Sequence, residues 1–291
     1  MYLPQIDIKI DDFTPGTGVY FLTHFHGDHI RGLKTYWRSN LYGEGLIYTS
    51  RVTARLLLHL VKVRPEFIRP VEPGQTLSIE SGGNKVDVKA FDANHCPGAL
   101  MLLFQSEGKK IFYTGDFRLS HEMRKRLAQY APLDWLYIDS TYTHPRYRFP
   151  PQEDALTQII EMVERNLHRE IFFGVYTIGK NKVIEAVYER FGRPIYMPRD
   201  KRRIYETIGA SHMVTSEKEA TNFRAYSLGY FNRYFPMSRQ RDFLVIIPTG
   251  WAVDYKNTRE GFFYVPYSEH SDYWERKEFI ELLQPREIIE I

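Results

Sequence analysis

The chain of 291 residues is 43% hydrophobic and 26% charged, an ordinary balance for a soluble globular protein with enough apolar material for one large domain or two smaller ones. Its single cysteine, Cys96, excludes an intramolecular disulfide and any multi-cysteine zinc finger, and points to a reducing compartment. No apolar run is long enough to span a bilayer, the N-terminal MYLPQIDIKI lacks a secretory pattern, and a net charge of +3 favours a polyanion only where charge is locally clustered.

Strands come first along the chain. IDIKI, VYFLT, LIYTS, TLSIE, KVDVKAF, ALMLLF, KIFYTG and WLYID are β-rich runs separated by Gly, Pro, Asp and Asn. One helix interrupts them over residues 51–63, with Leu57, Leu58 and Val61 on a stripe and Ser50 in the N-cap position. The texture changes after Pro150 and Pro151. QEDALTQIIEMVERN has helical period and an acidic first turn, IFFGVY reads as a buried strand, and KNKVIEAVYERFG reads as a helix closed by Gly192. Alternating strand and helix imply a parallel α/β unit. From residue 241 strands return as FLVIIP and FFYVPY, followed by a helix, DYWERKEFIELLQ, and a last strand, EIIEI. That order predicts an α/β insertion within one fold.

Chemistry concentrates where VYFLT ends. In HFHGDH, His24, His26, Asp28 and His29 crowd into one turn, and Gly27 lets the backbone bend between the two pairs. Neutral imidazole is a common zinc ligand and carboxylate its usual companion. Four ligands split two and two suit a binuclear centre, whose metals stand about 3.5–4 Å apart. Two metals need more donors than one loop supplies. His95 in ANHCPG and Asp116 in YTGDFR each follow an apolar strand, and a carboxylate such as Asp116 can bridge two ions because its oxygens face different ways. Asp11, in IDDF, is positioned to orient a ligand imidazole.

Taken together, IDDF, THFHGDH, ANHCPGA and YTGDFR resemble the metallo-β-lactamase fold in the form found in the DNA crosslink-repair nucleases, the Artemis and Apollo group, which carry a β-CASP insertion. YIDSTY, FPPQEDA, GVYTIGKNKV, IIPTGW and PYSEHSDY extend the resemblance, in order, through nearly the whole chain. It implies an α/β fold: an αββα sandwich from residues 1–148 and 241–291 around a β-CASP domain at 149–240, with the metals on the floor of a cleft. It also implies a first metal held by His24, His26, His95 and Asp116, and a second held by Asp28, His29 and Asp116. One or two zinc ions would occupy these places, with magnesium or manganese as alternatives at the second. Asp139 matches the first acidic β-CASP motif and His270 the histidine motif, while a third motif would fall just past Ile291. Ala99 stands where a serine is common after HCPG.

Two divalent ions would generate hydroxide near neutral pH and neutralise phosphoryl charge. Asp28 or Asp116 would take the proton of the attacking water, and His270 would protonate the leaving oxygen or hold a non-bridging one. In GVYTIGKNKV a strand turns into a helix beside a glycine and a lysine, an arrangement able to hold an anion. Tyr176, Thr177, Gly179 and Lys180, with Ser268 and Ser271 facing them, form the expected pocket for a terminal 5′-phosphate. Basic groups around Arg118 to Arg126, Arg146 to Arg148, Arg199 to Arg203 and Arg233 to Arg241 offer several candidate strand-binding faces, with Tyr147 and Phe149 able either to stack on bases or to pack in the core.

The expected activity is a metal-dependent 5′-to-3′ exonuclease acting in DNA repair, on crosslinks or ends, with 5′-phosphorylated single- or double-stranded DNA as partner. The expected protein is monomeric, apart from membranes, and nuclear in a eukaryote or otherwise intracellular. A β-CASP RNA-processing endonuclease and a non-catalytic nucleic-acid scaffold are the alternatives.

Overall fold

A computed structural model of the chain describes residues 1–33, 45–176, 178–233, 242–255 and 260–291. The chain divides into unit 1, Met1–Pro145 with His270–Ile291, and unit 2, Arg146–Glu269.

Unit 1 is built from two sheets. The first contains β1 (Tyr2–Leu3), β2 (Ile8–Ile10), β3 (Val19–Phe21), β4 (Leu46–Thr49) and β5 (Ile68–Pro70) in that spatial order, parallel after an antiparallel first pair. The second contains β6 (Thr76–Ser81), β7 (Asn84–Asp92), β8 (Leu100–Ser106), β9 (Lys109–Tyr113) and β10 (Trp135–Ile138), and is completed by the C-terminal strand Glu287–Glu290 beside β10. Strands β6 and β7 form a hairpin closed by Gly82 and Gly83, both at positive φ (58° and 79°), the geometry that matches strand twist in a two-residue turn. Inward side chains of both sheets share one core. Ile8, Ile10, Val19 and Phe21 from the first meet Val86, Val88, Leu102, Phe104 and Tyr113 from the second. Phe21 packs edge-on against Phe104 at 5.2 Å.

Helices cover the sheets. Helix α1 (Arg51–Leu56) packs against β5, starts at Ser50, whose hydroxyl accepts the Thr53 N–H, and runs on through Leu57–Val61 in a wider turn ended by Lys62. Helix α2 (His121–Leu127), capped by Ser120, was not legible in the sequence. The C-terminal helix Tyr273–Leu283 carries a reciprocal cap between Asp272 and Glu275 and lays Phe279 on Phe112 and Phe117. The layers are helix, sheet, sheet and helix.

Unit 2 is a six-stranded, wholly parallel sheet. Its strands are β11 (Glu170–Gly174), β12 (Ile195–Tyr196), β13 (Val214–Thr215), β14 (Phe223–Tyr226), β15 (Phe243–Pro248) and β16 (Phe262–Val265), in the order β13-β12-β14-β11-β15-β16. Its helices are α3 (Gln152–Glu164), α4 (Asn181–Phe191), α5 (Arg199–Thr207) and α6 (Leu228–Arg233). A sheet covered on both faces has continuous apolar strands, as IFF and LVII here. Gly192 ends α4 at φ 63°, with its N–H on the Tyr188 carbonyl at 2.8 Å.

The boundaries differ from those read in the sequence. FLVIIP and FFYVPY, assigned there to the second half of the sandwich, pair as β15 and β16 in the sheet of unit 2, so unit 1 resumes at His270 rather than 241, and its first segment closes at Pro145 rather than 148. Apolar parallel strands carry no mark of which sheet they join. Among the described residues no helix is long and apolar enough to cross a membrane.

Phe104 is fully buried at the centre of the sandwich. Phe104→Ala is expected to cost about 3–5 kcal/mol of unfolding free energy in denaturant titration; a loss below about 1 kcal/mol would show that the two sheets do not share this core.

Candidate metal centre

Five strand ends meet at one edge of unit 1. Asp11 follows β2, His24 follows β3, His95 follows β7, Asp116 follows β9 and Asp139 follows β10. Two backbone bonds and one side-chain bond lock the ends together: Leu100 N–H to the Thr23 carbonyl at 3.0 Å, Arg118 N–H to the Ala93 carbonyl at 3.0 Å, and the Asn94 side-chain amide to the Arg118 carbonyl at 3.1 Å. Gly115, at φ 51°, lies so close to Thr23 that an added Cβ would stand 2.9 Å from Thr23 Cγ2. That contact is the physical reason for the glycine in TGD.

The Asp11 carboxylate organises the histidine loop. One oxygen accepts the Thr23 N–H at 2.8 Å; the other accepts the Thr23 hydroxyl at 2.7 Å and His29 Nδ1–H at 2.8 Å. Since the Thr23 hydroxyl has already given its proton to Asp11, it can only accept from His24 Nδ1, 3.0 Å away. Both rings thereby carry a proton on Nδ1 and present Nε2 to the other side.

Ring nitrogens and a carboxylate converge beyond them. His24 Nε2 and His26 Nδ1 are 2.8 Å apart, His95 Nε2 and His26 Nδ1 3.2 Å, His24 Nε2 and Asp116 Oδ2 3.4 Å, and His95 Nε2 and Asp116 Oδ2 3.5 Å. A tetrahedron with ligands about 2.0–2.1 Å from its centre has edges of roughly 3.3–3.4 Å; these four separations lie near that length, with His24, His26 and His95 in one group able to hold a metal ion and Asp116 shared with His24 and with His95 in neighbouring groups. The other Asp116 oxygen faces a second group: His29 Nε2 stands 3.6 Å from Oδ1, and Asp28 Oδ2 stands 3.7 Å from His29 Nε2. Asp116 therefore lies between the two donor sets. Asp28, 73% exposed, is the most open of the group.

Electrostatics match this geometry. Burial opposes the charged form of Asp116, yet the imidazoles of His24 and His29 hold its carboxyl well below the usual range. Burial alone would lower His29, but Asp11 and Asp116 outweigh it and push the imidazole up to about 11. A cation taking that nitrogen must displace a proton. His95 is driven the opposite way, by burial and then by neighbouring His270 and His24, which keeps it neutral and able to ligate.

His270 completes the ring. Its Nδ1 donates to Asp139 Oδ2 at 2.7 Å and its Nε2 faces Asp116 Oδ2 at 3.9 Å. Asp139 is fixed in turn by the Thr141 N–H at 2.8 Å and the Thr141 hydroxyl at 2.6 Å. The sequence reading passed over Cys96, whose sulfur also reaches the cluster formed by His24, His26 and His95.

The expected phosphate pocket is arranged differently from the sequence reading. Ser271 belongs to unit 1, where its hydroxyl accepts the Leu119 N–H at 2.8 Å and donates to the Phe117 carbonyl at 3.1 Å. It pins the segment before the C-terminal helix to the segment after Asp116. Thr177 lies outside the described residues. In unit 2, Tyr176 is exposed, Gly179 takes φ 107° and Ser268 is buried, its carbonyl accepting from Gln152. The Lys180 N–H donates to both oxygens of Glu269, at 2.8 and 3.0 Å, and its ammonium lies 3.8 Å from the same carboxylate. A built-in anion thus occupies the Lys180 amide. Glu269, inside SEHS, was the available signal and was overlooked.

Several basic groups also have acidic partners. Arg118 is buried on Glu275 at 2.7 Å, and Arg124 Nη2 binds Glu278 at 2.8 Å. Arg146 lies 4.7 Å over Tyr147 and 3.3 Å from Asp254. Tyr147 and Phe149 are buried, as core packing requires. Arg239 and Arg241 lie outside the described residues, as does the side chain of Arg233.

Comparison with known proteins bears on this geometry. Residues 4–169 match the beta-lactamase superfamily domain, and residues 210–290 match a domain described as DNA repair metallo-beta-lactamase. The chain is 33% identical to the Arabidopsis thaliana "DNA cross-link repair protein SNM1" across 99% of its own length and 64% of the relative's. It is 32% identical to the Gallus gallus "5' exonuclease Apollo" (99% and 62%) and 31% identical to the Homo sapiens "DNA cross-link repair 1A protein" (99% and 30%). It therefore spans less than two thirds of each of these three relatives. A crystal structure of an Enterococcus faecalis protein of unknown function shares the fold, with a TM-score of 0.62 and 17% identity over 96% of this chain and 76% of the other.

Asp11→Ala is expected to weaken metal binding about 10–100-fold in chelator competition while the protein stays folded, because the His29 and His24 rings lose their orientation. Unchanged affinity would show that Asp11 does not set those rings.

Proposed function

The chain belongs to the beta-lactamase superfamily, and from that premise we propose that it is a metal-dependent DNA nuclease, a phosphodiesterase that digests DNA from a 5′-phosphorylated end in DNA repair. The observation that carries this reading is Asp116: one of its oxygens faces His24 and His95, whose donor set includes His26, while the other faces His29, beside Asp28. Relatives with printed names of "5' exonuclease" and "DNA cross-link repair" support DNA as the substrate and repair as the setting. A monomer in the nucleus, or inside the cell of a non-eukaryote, fits that setting.

Three imidazoles and a carboxylate suit zinc at the first set. Two carboxylates and one imidazole at the second suit zinc, and equally magnesium or manganese. Bound ions would supply Lewis acidity toward phosphoryl oxygens and a water of lowered pKa.

The remaining work falls to the side chains. Asp116 stays ionised and keeps the two donor sets in register. Asp28, open to solvent, can take a proton from the attacking water and release it outward. His270, with Nδ1–H held by Asp139, can carry a proton at Nε2 and deliver it to the departing oxygen. Asp139 acts through His270, and Thr141 keeps Asp139 in place. Tyr176, Gly179, Lys180 and Ser268 shape the carboxyl edge of the unit 2 sheet, where the terminal phosphate would be received.

Matched 5′-phosphate, 5′-hydroxyl and circular single-stranded DNA test the exonuclease reading. The expected order is rapid digestion of the first, slow digestion of the second and none of the circle. Equal cutting of all three would replace the reading with an endonuclease, and preference for matched RNA would assign the chain to RNA processing. His270→Ala is expected to lower kcat about 10²–10⁴-fold with metal content unchanged by elemental analysis. Loss of metal in that variant would instead make His270 a ligand.

A further inference from the structure

Where unit 2 begins, burial alternates along the chain: Arg146 and Arg148 are exposed, Tyr147 and Phe149 are buried. The alternation turns both arginines outward and both rings inward. The ring of Tyr147 stands edge-on to Trp251, with centroids 5.3 Å apart. Trp251 belongs to the short turn Gly250–Asp254 that follows β15, where the Thr249 hydroxyl accepts its N–H at 3.2 Å.

A polar network fixes that turn. Arg146 Nη2 donates to the Tyr147 hydroxyl at 2.6 Å, and the hydroxyl donates to Asp254 Oδ2 at 3.1 Å. The Arg146 guanidinium also lies 3.3 Å from the other Asp254 oxygen. The apolar groups of the turn nevertheless stay in water. Trp251 is 36% exposed, Val253 53% and Tyr255, just after the turn, 52%; the Tyr255 ring stacks on Tyr264 at 4.6 Å and 12°. A contiguous patch of this kind, with tryptophan, tyrosine and arginine together, has the composition of a contact surface rather than of a solvated face. Among the described residues, no carboxylate lies within 4.0 Å of the Arg148 guanidinium.

We propose that this face of unit 2 binds single-stranded DNA, with Trp251 stacked on a base and Arg148 on a phosphate. The proposal rests on the DNA-nuclease reading above and names a surface that grips the bases and backbone of the strand rather than its end. Every base has a π-face, so a tryptophan holds any of them without reading sequence, which suits an enzyme that advances through arbitrary DNA. Charge favours a polyanion over a protein partner. Asp254, the acidic residue of the turn, is engaged by Arg146 and Tyr147, which leaves the charge of Arg148 uncompensated. Arg146 holds the turn, and Tyr147 is the buried support of the exposed ring.

The test measures Kd of the zinc-loaded protein for a cleavage-resistant phosphorothioate oligothymidylate and for the same strand carrying abasic sites, over a range of salt. Wild type, Trp251→Ala, Trp251→Phe and Arg148→Ala are compared, with Tm recorded for each. Trp251→Ala is expected to weaken the base-bearing strand about 5- to 100-fold and the abasic strand under about twofold, and Trp251→Phe to recover most of the loss. Arg148→Ala is expected to weaken both strands alike and to reduce the slope of log Kd against log salt by about one. A folded Trp251→Ala protein that keeps wild-type affinity, or loses it equally on both strands, overturns the stacking role and leaves the nuclease reading standing. An unchanged salt slope in Arg148→Ala overturns the phosphate contact. A wild type that neither binds nor digests DNA overturns the nuclease reading, and this surface with it. Should Trp251→Ala not fold, photocrosslinking of wild type to a strand containing 5-iodouracil decides. The crosslink is expected on the peptide that holds Trp251; crosslinks confined to other peptides overturn the proposal.

Discussion

A single carboxylate has to face two ways. Asp116 sits where β9 of the second sheet runs out, with His24 and His95 near one oxygen and His29 near the other. Such a residue cannot be placed by a flexible loop, because a small rotation would lose one set of neighbours. Its position depends on the sandwich beneath it. Phe21 and Phe104 join the two sheets through a dry core, and Gly115 lets the segment before Asp116 touch Thr23. Asp11 then sets the rings of the histidine loop from the neighbouring strand. The chemistry is therefore a property of the packed strand ends, with Asp11, Thr23, Arg118 and Ser271 holding the chemical groups without being among them.

Much of this could be read from residues alone, for a physical reason. Strong alternation and strand-end turns are local signals, and β2, β3, β7, β8, β9 and β10 all announced themselves. Metal-ligand residues crowded into HFHGDH leave a pattern that packing does not require. Other features left little trace. Strands β12 and β13 are two residues long, too short for any period to develop. Strands β15 and β16 were seen as strands but given to the other unit, because sheet membership is decided by partners distant in sequence. Side-chain commitments were equally hidden. Ser271 was expected to face the phosphate pocket, yet its hydroxyl is tied to Phe117 and Leu119, more than a hundred residues earlier. Glu269 was given no role in the sequence, yet it meets both the amide and the ammonium of Lys180.

Lys180 and Lys201 of unit 2 show why a basic residue near a turn is weak evidence of a phosphate site. Charge counts only when it is uncompensated. Lys180 has the suggestive neighbours in sequence, a glycine and a helix start, and already has an anion. Lys201 lies in the basic run from Arg199 to Arg203 and bonds main-chain carbonyls instead. The same reasoning removes Arg118 and Arg124 from the list of simple strand-binding groups, since each has a carboxylate within hydrogen-bonding distance.

The central claim is that His24, His26, His95 and Asp116 enclose a cation. Crystals grown without added metal, with anomalous scattering recorded on both sides of the zinc edge, test it most directly. The account predicts an edge-dependent peak among His24 Nε2, His26 Nδ1, His95 Nε2 and Asp116 Oδ2, with any second peak beside Asp116 Oδ1. A well-ordered structure with these side chains turned apart, and no peak there even after zinc is supplied, would contradict it.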